Sequence, residues 1–322
     1  MNEAVIETTG LSKSFQAKRK RQTVTVNAVV DLTLAVAEGE IFGFLGPNGA
    51  GKTTTLRMLA TLLPPDGGEA VIAGHNLRTE PAKVRQSIGY VQQGKATWDE
   101  ATAREELILQ ARMYGLGKAE AVASADRALE AFDLKEFADR RCKTFSGGQR
   151  RRVDVAMGVL HQPRVLFLDE PTAGLDPQSR AHMWGEVRRL RDEGMTIFVT
   201  THYLDEADAL CDRIAIIDAG SIVAEGTPTA LKREISGEVV TVGLAGPAEK
   251  ASEILAAQPF AKSVEARGET ELRLSVDAGE TAIPRIMKTL ADEGIGLATI
   301  ELHRPTLDDV FLTKTGRSLR ES

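Results

Sequence analysis

The feature of this sequence that most constrains its fold is a glycine-rich loop between an apolar strand and a helix. The loop reads Gly-Pro-Asn-Gly-Ala-Gly-Lys-Thr over residues 46–53 and matches the spacing G-x-x-x-x-G-K-T. Ile41–Leu45 runs into it as an apolar strand, and we predict a helix over residues 54–63, before Pro64. In such loops, glycines let backbone N–H groups point at phosphate oxygens, and the helix N-terminus adds partial positive charge. The pattern therefore predicts a phosphate site in a parallel α/β sheet.

Two residues of this phosphate loop (residues 46–53) carry specific chemistry. Lys52 is predicted to reach the β- and γ-phosphates of a nucleotide, and Thr53 to offer its hydroxyl to Mg²⁺. A glycine-rich turn without a ligand is the alternative, but the Lys-Thr pair, the strand and the helix together disfavour it. The predicted nucleotide-binding residues here are Gly46, Pro47, Asn48, Gly49, Ala50, Gly51, Lys52, Thr53 and Thr54.

A second motif ends another apolar strand, residues 165–168, with the carboxylates Asp169 and Glu170. Because parallel strands end on one sheet edge, Asp169 is predicted to lie beside the Mg²⁺ that Thr53 holds. Adjacent strand residues point in opposite directions, so Glu170 can orient and deprotonate a water at the γ-phosphate. An Asp-Glu pair that merely ends a strand before Pro171 is the alternative, which the phosphate loop makes less favourable.

Patterning along the chain divides it into two predicted domains near Ser236 and Gly237. Residues 1–236 form the larger one, with an antiparallel β layer from residues 6–15 and 24–36 and a helical subdomain over about 95–160. Residues 237–322 show the order strand, helix, strand, strand, helix, strand, which predicts a small ferredoxin-like α+β module.

Composition excludes several classes of protein. Apolar residues make up 42% and charged residues 27%, as in globular domains. The net charge of -6 argues against a non-specific nucleic-acid binder, so no nucleic-acid partner is expected. The longest stretches without Asp, Glu, Lys or Arg have eleven residues, as in residues 41–51, too short for a membrane span. Cys142 and Cys211 match no metal spacing, and we expect a reduced, cytoplasmic protein.

Five motifs in one order resemble those of the ATP-binding cassette (ABC) ATPases, over about residues 5 to 230. Besides the phosphate loop and Asp169-Glu170, residues 145–149 read FSGGQ, similar to the family signature LSGGQ, and residues 173–176 read AGLD, like its D-loop. His202 stands where the switch histidine falls, and Gln93 or its neighbour Gln92 where the Q-loop glutamine falls. The resemblance implies a P-loop NTPase fold with a RecA-like parallel sheet core, an antiparallel β layer and a helical subdomain.

The resemblance also implies roles for these residues. The catalytic set would be Lys52, Gln93, Glu170 and His202, and the metal set Thr53, Gln93 and Asp169. Phe15 is the candidate platform for adenine, with a core phenylalanine as the alternative. In a head-to-tail homodimer with two MgATP, the signature would bind the nucleotide held by the second subunit. The residues contributed across that interface would be Ser146, Gly147, Gly148, Gln149 and Asp176.

The last segment narrows the resemblance to one subfamily. Residues 305–312 read PTLDDVFL, similar to the ending of ATPases of the daunorubicin/doxorubicin-resistance drug exporters. Leu307, Val310 and Phe311 would share one helical face, which either supports a complex with a membrane subunit or packs on its own module. The expected protein is a drug-export ATPase on the cytoplasmic side of the membrane, attached to a separate permease. An importer ATPase, or a soluble ABC ATPase acting on ribosomes or DNA, is the alternative.

Two basic runs stand out in the sequence, residues 18–21 and residues 150–152. The first is predicted to be a solvated hairpin tip, with contact to nucleic acid or anionic lipid as the alternative. Successive helix residues spread around the axis, so Arg150, Arg151 and Arg152 are not expected to form one patch. One or two of them are expected to support the signature or to pair with acidic side chains.

Overall fold

The structure, a computed structural model, describes residues 4–19, 22–235 and 238–316, without the side chains of residues 17–19 and 22. Lys20 and Arg21 of the first basic run, and Ser236 and Gly237 at the predicted domain boundary, lie outside the described residues. The chain divides into two compact units, residues 4–228 and residues 229–316.

The first unit contains both of the predicted β layers. Its strands are β1 (Ala4–Arg19), β2 (Gln22–Ala37), β3 (Ile41–Leu45), β4 (Gly67–Ile72), β5 (His75–Asn76), β6 (Ile88–Val91), β7 (Val165–Asp169), β8 (Thr196–Thr201), β9 (Arg213–Asp218) and β10 (Ser221–Gly226). Its helices are α1 (Lys52–Leu59), α2 (Pro81–Ser87), α3 (Ala103–Met113), α4 (Lys118–Ala131), α5 (Gly147–Val159), α6 (Pro177–Asp192) and α7 (Leu204–Leu210). Short 3₁₀ turns follow α4 at Lys135–Phe137 and Cys142–Thr144.

The central sheet has the strand order β10-β9-β3-β8-β7-β6. All neighbours are parallel except the β9–β10 pair, which confirms the predicted parallel core. Every residue of β3, β7 and β8 is buried, as expected for strands covered on both faces. The carboxyl ends of β3, β8, β7 and β6 therefore lie side by side on one edge of the sheet.

The antiparallel layer has the order β2-β1-β4-β5, and its hairpin β1–β2 spans the two stretches predicted from sequence. Apolar side chains of this layer, such as Leu11 and Leu32, join Phe42 and Leu56 in one buried cluster. The layer thus packs on the parallel sheet and α1 through one shared core.

The helical subdomain consists of α3, α4, the 3₁₀ turns and α5. Thr102 begins α3 with a capping box, in which its hydroxyl accepts from the Glu105 N–H and the Glu105 carboxylate accepts from the Thr102 N–H. Leu107, Leu129 and Phe132 are buried within the subdomain. The stretch in which the composition predicts a helical subdomain is therefore helical in the structure.

The second unit begins with α8 (Pro228–Ile235), which sequence analysis placed in the first domain. Its remaining elements are β11 (Glu238–Leu244), α9 (Glu249–Ala256), β12 (Ala261–Arg267), β13 (Glu271–Val276), α10 (Gly279–Asp292), β14 (Leu297–His303) and α11 (Leu307–Thr315). Helix α8 groups with this unit, and its Glu234 lies 3.4 Å from Lys314 of α11. The strand, helix, strand, strand, helix, strand order agrees with the prediction.

The four strands of the second unit form an antiparallel sheet in the order β12-β13-β11-β14, and its core includes Val240, Leu274 and Ile286. The final helix presents the predicted apolar face. Leu307, Val310 and Phe311 are buried within the chain, with no more than 2% of each residue exposed. This burial favours the packing role over direct use of that face by a membrane subunit. Among the described residues, no helix has the length and apolar character needed to cross a membrane.

Candidate functional site

Two glycines of the phosphate loop lie so close to neighbouring backbone that a side chain has no room at either position. A Cβ on Gly46 would lie 2.4 Å from the carbonyl oxygen of Ile217, and one on Gly51 would lie 2.2 Å from that of Ala28. Gly51 also has a φ of 109°, which L-residues rarely adopt. The glycines therefore fit the loop between β2 and β9 at the start of α1.

Lys52 is buried at the centre of this loop. Its Nζ donates to the carbonyl oxygens of Gly46 (2.7 Å) and Pro47 (3.1 Å), and lies 3.3 Å from Glu170 Oε1. Burial lowers the pKa of Lys52, and the nearby Glu170 carboxylate opposes that shift. The arrangement places a cation between the phosphate loop and the carboxylate predicted to be the general base.

Asp169 lies at the end of β7, where Thr53 reaches it. The hydroxyls of Thr53 (3.1 Å) and Thr200 (2.7 Å) both donate to its Oδ1. Asp169 is fully buried, and its Oδ2 has no hydrogen-bond partner among the described residues. A buried carboxylate oxygen without a partner is costly unless a ligand satisfies it. Because Mg²⁺ prefers such oxygen ligands, Asp169 and Thr53 fit the predicted metal site.

Glu170 is the point at which the predicted catalytic residues converge, and we call Lys52, Gln93, Glu170 and His202 the Glu170 cluster. Gln93 Nε2 donates to Glu170 Oε2 at 2.9 Å. His202 Nδ1 lies 3.1 Å from the same oxygen, in an orientation that does not make a hydrogen bond. Glu170 is 7% exposed. A carboxylate so placed can hold a water and accept its proton.

The backbone of Glu170 is itself fixed in an uncommon conformation. Its φ is 45°, in the left-handed region that non-glycine residues seldom adopt. Its N–H donates to the carbonyl and the hydroxyl of Thr200 on β8. The neighbouring strand thus determines where the Glu170 side chain begins.

Sequence reasoning left two glutamines open, and the geometry separates them. Gln93 reaches Glu170, whereas the Gln92 side chain donates to the carbonyl oxygen of Lys95 at 3.2 Å. Gln93 is therefore the glutamine that contacts the cluster. Its predicted contact with Mg²⁺ stays a prediction.

The signature segment, residues 145–149, starts α5 and satisfies its own polar groups. Ser146 Oγ accepts from the Gln149 N–H, and Gln149 Oε1 accepts from the Ser146 N–H, which makes a capping box. Ser146 and Gly147 are exposed. A Cβ on Gly148 would lie 2.6 Å from Ser179 Oγ, so the segment packs closely on α6.

Asp176, the last residue of the predicted D-loop, is the N-cap of helix α6. Asp176 is exposed, and its carboxylate accepts from the N–H (2.9 Å) and the hydroxyl (2.6 Å) of Ser179. These hydrogen bonds hold its pKa below the usual value. The N-terminal ends of α5 and α6 thus border one open cavity of about 170 Å³. Its lining residues are Ser146, Gly148, Gln149, Arg152, Gln178, Ser179 and His182.

Phe15 lies on the outer face of the β1–β2 hairpin with 41% of the residue exposed, so it is not a core phenylalanine. It pairs with Val26, two residues along β2 from Ala28, whose carbonyl lies against Gly51. Two strand residues span about 7 Å, which puts the ring within reach of a nucleotide on the loop. Lys13 Nζ lies 5.8 Å from the ring centroid.

Two of the three arginines after the signature are buried beside acidic side chains, which agrees with the expectation that one or two of them pair with such groups. Arg150 and Arg151 are 7% and 6% exposed, because both point inward at acceptor groups. Arg150 donates to the Thr97 hydroxyl (2.7 Å) and carbonyl (2.6 Å). Arg151 donates to carbonyl oxygens beside Gln93 and Glu170. The sequence gives no signal for these contacts, since the acceptors belong to distant backbone segments.

Glu206 on α7 is a second group that sequence reasoning missed. It is fully buried, and its Oε1 accepts from the Thr172 hydroxyl (2.8 Å) and the Trp184 indole (3.0 Å). Burial raises the pKa of its carboxyl. Thr172 follows Glu170 by two residues and Glu206 follows His202 by four, so this hydrogen bond joins the segments that carry Glu170 and His202.

Comparison with protein families gives two matches in the chain. The ABC transporter family matches residues 29–173, and the ATP-binding protein DrrA1-3-like C-terminal domain matches residues 226–315. The second match begins near α8, in line with the division between the two units.

Two relatives are similar over nearly the whole chain. Daunorubicin resistance ATP-binding protein DrrA2 of Streptomyces coeruleorubidus is 44% identical, over 88% of each chain. Nod factor export ATP-binding protein I of Burkholderia thailandensis is 40% identical, over 95% of this chain and 98% of the relative.

Among solved structures, a dimeric ATP-binding cassette in a post-hydrolysis state with ADP and phosphate is similar to this chain. Its identity is 25% and its TM-score 0.62, over 69% of this chain and 98% of that one.

Proposed function

The chain belongs to the ATP-binding subunits of ABC transporters, and from this premise we propose that it hydrolyses ATP to power export of a drug-like compound. The observation that carries the proposal is the Glu170 cluster, in which Lys52, Gln93 and His202 converge on one buried carboxylate. A buried carboxylate held in one position is suited to accept a proton from a water beside a γ-phosphate.

Hydrolysis in this site divides among the residues of one chain. Lys52 and the backbone N–H groups of the phosphate loop bind the phosphates. Glu170 accepts the proton of a water that Gln93 and His202 help to orient, the oxygen of that water bonds to the γ-phosphorus, and the bond to ADP breaks. Thr53 and Asp169 would hold Mg²⁺, which supplies neutralisation of phosphate charge when bound.

The signature segment supports a head-to-tail pair of chains. Its residues Ser146 and Gly147 are exposed at the N-terminal end of α5, and Asp176 is exposed at the start of α6. A helix N-terminus attracts phosphate, so this surface is suited to a nucleotide carried by a second chain. Two copies would then complete two sites, as the resemblance of the motifs implies.

An apolar patch on the helical subdomain supports attachment to a separate permease. Trp98, Leu109 and Met113 are 72%, 50% and 74% exposed. Leu109 and Met113 are four residues apart on α3 and share one face, and the Trp98 N–H donates to Glu106 on the same helix. Exposed apolar surface of this kind marks interaction sites. The permease would place the chain at the cytoplasmic side of the membrane.

Drug export rather than another transport role is supported by the relatives and by the tail. The similar proteins are named for daunorubicin resistance and for Nod factor export. The C-terminal unit matches a domain of that resistance family. We propose that a hydrophobic, drug-like compound is the cargo, selected by the permease.

The test is to compare the wild-type chain with Glu170→Gln in ATP turnover, nucleotide affinity and oligomeric state. The wild type should turn over MgATP, whereas the variant should bind it with similar affinity, lose turnover by at least about 10²-fold, and accumulate as a dimer. The control is Glu193→Gln, which should behave as wild type. Glu193 is exposed in the turn between α6 and β8, at the opposite end of β8 from His202. Unchanged turnover in Glu170→Gln would overturn the assignment of the base.

The transport proposal is tested by what the chain co-purifies with from its own cells. Recovery with a multi-span membrane protein, and drug accumulation in cells that lack the pair, would support export. Sedimentation with ribosomes or DNA, or loss of uptake of a solute, would replace the proposal with one of its two rivals.

A further inference from the structure

Arg151 is the second residue after the signature segment, and its guanidinium is buried among backbone carbonyls. Nε donates to the carbonyl oxygen of Pro171 (2.9 Å), and Nη2 to that of Asp169 (3.1 Å). Nη1 donates to the carbonyl oxygens of Gln92 (2.8 Å) and Gly94 (3.3 Å). One side chain of α5 therefore binds two separate segments of backbone.

The four acceptors have a simple relation to the Glu170 cluster. Gln92 and Gly94 are the residues on either side of Gln93, and Asp169 and Pro171 are those on either side of Glu170. Arg151 thus brackets both members of the Gln93–Glu170 hydrogen bond without contacting either side chain in that bond. The parallel pairing of β6 with β7 ends at Val91 and Leu168, and Arg151 links the two segments beyond those residues, where Gln93 and Glu170 lie 2.9 Å apart.

The charge of Arg151 is matched to this environment. Asp154, one turn further along α5, lies 3.9 Å from Nη1. Burial lowers the pKa of Arg151, and the nearby acidic groups, Asp154 first, oppose that shift. Four carbonyl acceptors and one carboxylate satisfy a group that would otherwise be costly to bury. A lysine keeps the charge but lacks the planar fork of donors, so it cannot reach both segments at once.

We propose that Arg151 is a positioning residue for hydrolysis, which ties the signature helix to the catalytic pair Gln93–Glu170. This rests on the proposed ATPase function. Because α5 starts at the signature segment, a shift of that segment on a second chain's nucleotide is carried by Arg151 to the backbone beside Gln93 and Glu170. The position of the helix thereby sets the position of the base.

The test is Arg151→Lys, with Arg150→Lys as the matched control. The two arginines are adjacent and almost equally buried, but Arg150 binds Thr97 and Asp99 instead of the bracketed segments. Arg151→Lys should lower kcat by about 10- to 100-fold, since small misplacements of a catalytic group have effects of this size. Its KM and its affinity for MgATP as a monomer should change less than about threefold. Arg150→Lys should retain kcat within about twofold.

Amide hydrogen exchange supplies a readout that does not depend on turnover. In Arg151→Lys, peptides that cover residues 92–94 and residues 169–172 should both exchange about tenfold faster, because both lose the same anchor. In Arg150→Lys, faster exchange should be confined to residues around 97–99. The two variants thus separate the bracket from a general loss of stability.

Two results would overturn the proposal: kcat unchanged in Arg151→Lys, or faster exchange in one of its two segments without the other. Failure of the proposed function would look different. A wild-type chain that turns over no ATP would refute the ATPase assignment, while the exchange comparison would still decide whether Arg151 holds both segments together.

Discussion

The phosphate loop and the signature segment of the first unit are built in opposite ways. At the phosphate loop, Lys52, Asp169 and Glu170 are buried and bonded to residues from several strands. At the signature segment, Ser146 and Gly147 are exposed, and the capping bonds of Ser146 stay within one turn of helix. Contacts between distant segments therefore form the site at the phosphate loop, whereas the signature segment is an exposed end of one helix.

This contrast indicates which step a single chain can carry out and which step needs a second chain. A charged group such as Lys52 can bind phosphate strongly because its surroundings are fixed and partly dry. The signature segment needs a second surface to close over it before its N–H groups are desolvated. Nucleotide binding is therefore expected of a single chain, and efficient hydrolysis of a pair.

The largest expected effect follows from replacing Lys52, the buried lysine of the phosphate loop. Lys52→Ala should weaken MgATP binding by about 10²- to 10³-fold, since truncating one partner of a buried charged contact costs several kcal/mol. Isothermal titration with the monomer measures it, and the exposed Lys83 provides the control Lys83→Ala. Affinity equal to that of the wild type would show that the loop binds through its backbone alone.

The second prediction concerns α5, the helix that begins at the signature segment, where the free energy of unfolding should depend on pH. Burial raises the pKa of Asp154 on α5 to about 6, from an ordinary value of 3.8. The stability that this raised pKa contributes is complete below pH 4 and is lost as the pH rises through 6. Asp154→Asn, neutral throughout, should therefore gain up to about 3 kcal/mol relative to wild type between pH 4 and pH 7.5.

Urea unfolding of both proteins at several pH values measures this difference. A free-energy difference that is constant with pH would show that Asp154 titrates normally.

A third prediction concerns Phe15 on the β1–β2 hairpin and asks whether the nucleotide site extends from the phosphate loop to this ring. Phe15→Ala should weaken ATP binding by about 1–2 kcal/mol if its ring stacks on adenine, with little change in stability because the ring is exposed. Val24 is equally exposed on the same hairpin, so Val24→Ala is the control. Binding of ATP and of inorganic triphosphate should be compared, because the loss is expected for ATP but not for triphosphate. Equal losses for both ligands would refute stacking.

The smallest expected effect concerns Ser146, the N-cap of α5 in the signature segment. Ser146→Ala should lower the free energy of unfolding by about 1 kcal/mol through loss of the α5 cap. Thr102 makes the same kind of capping box on α3, so Thr102→Ala should cost a similar amount. Ser146→Ala alone should also reduce MgATP-dependent dimer formation, measured by light scattering. Identical dimer formation in both variants would leave the signature serine with a capping role only.

Much of the site could be predicted from sequence because local patterns carry it. The spacing of the phosphate loop fixes which glycines are needed, and the apolar strand before Asp169 places it at a sheet edge. The choice between Gln92 and Gln93 could not be made, since both follow the same strand and differ by one residue. The inward direction of Arg151 was likewise hidden, because its acceptors are main-chain atoms that any sequence possesses.

The sequence by itself determined the strand, loop and helix units, the identity of the chemical groups and the apolar face of the last helix. The tertiary structure decided which of those groups meet. Lys52, Gln93, Glu170 and His202 follow four different strands, and they converge because β3, β8, β7 and β6 are neighbours whose carboxyl ends share one edge. That adjacency depends on hydrogen bonds and buried contacts between distant segments, which no local pattern encodes.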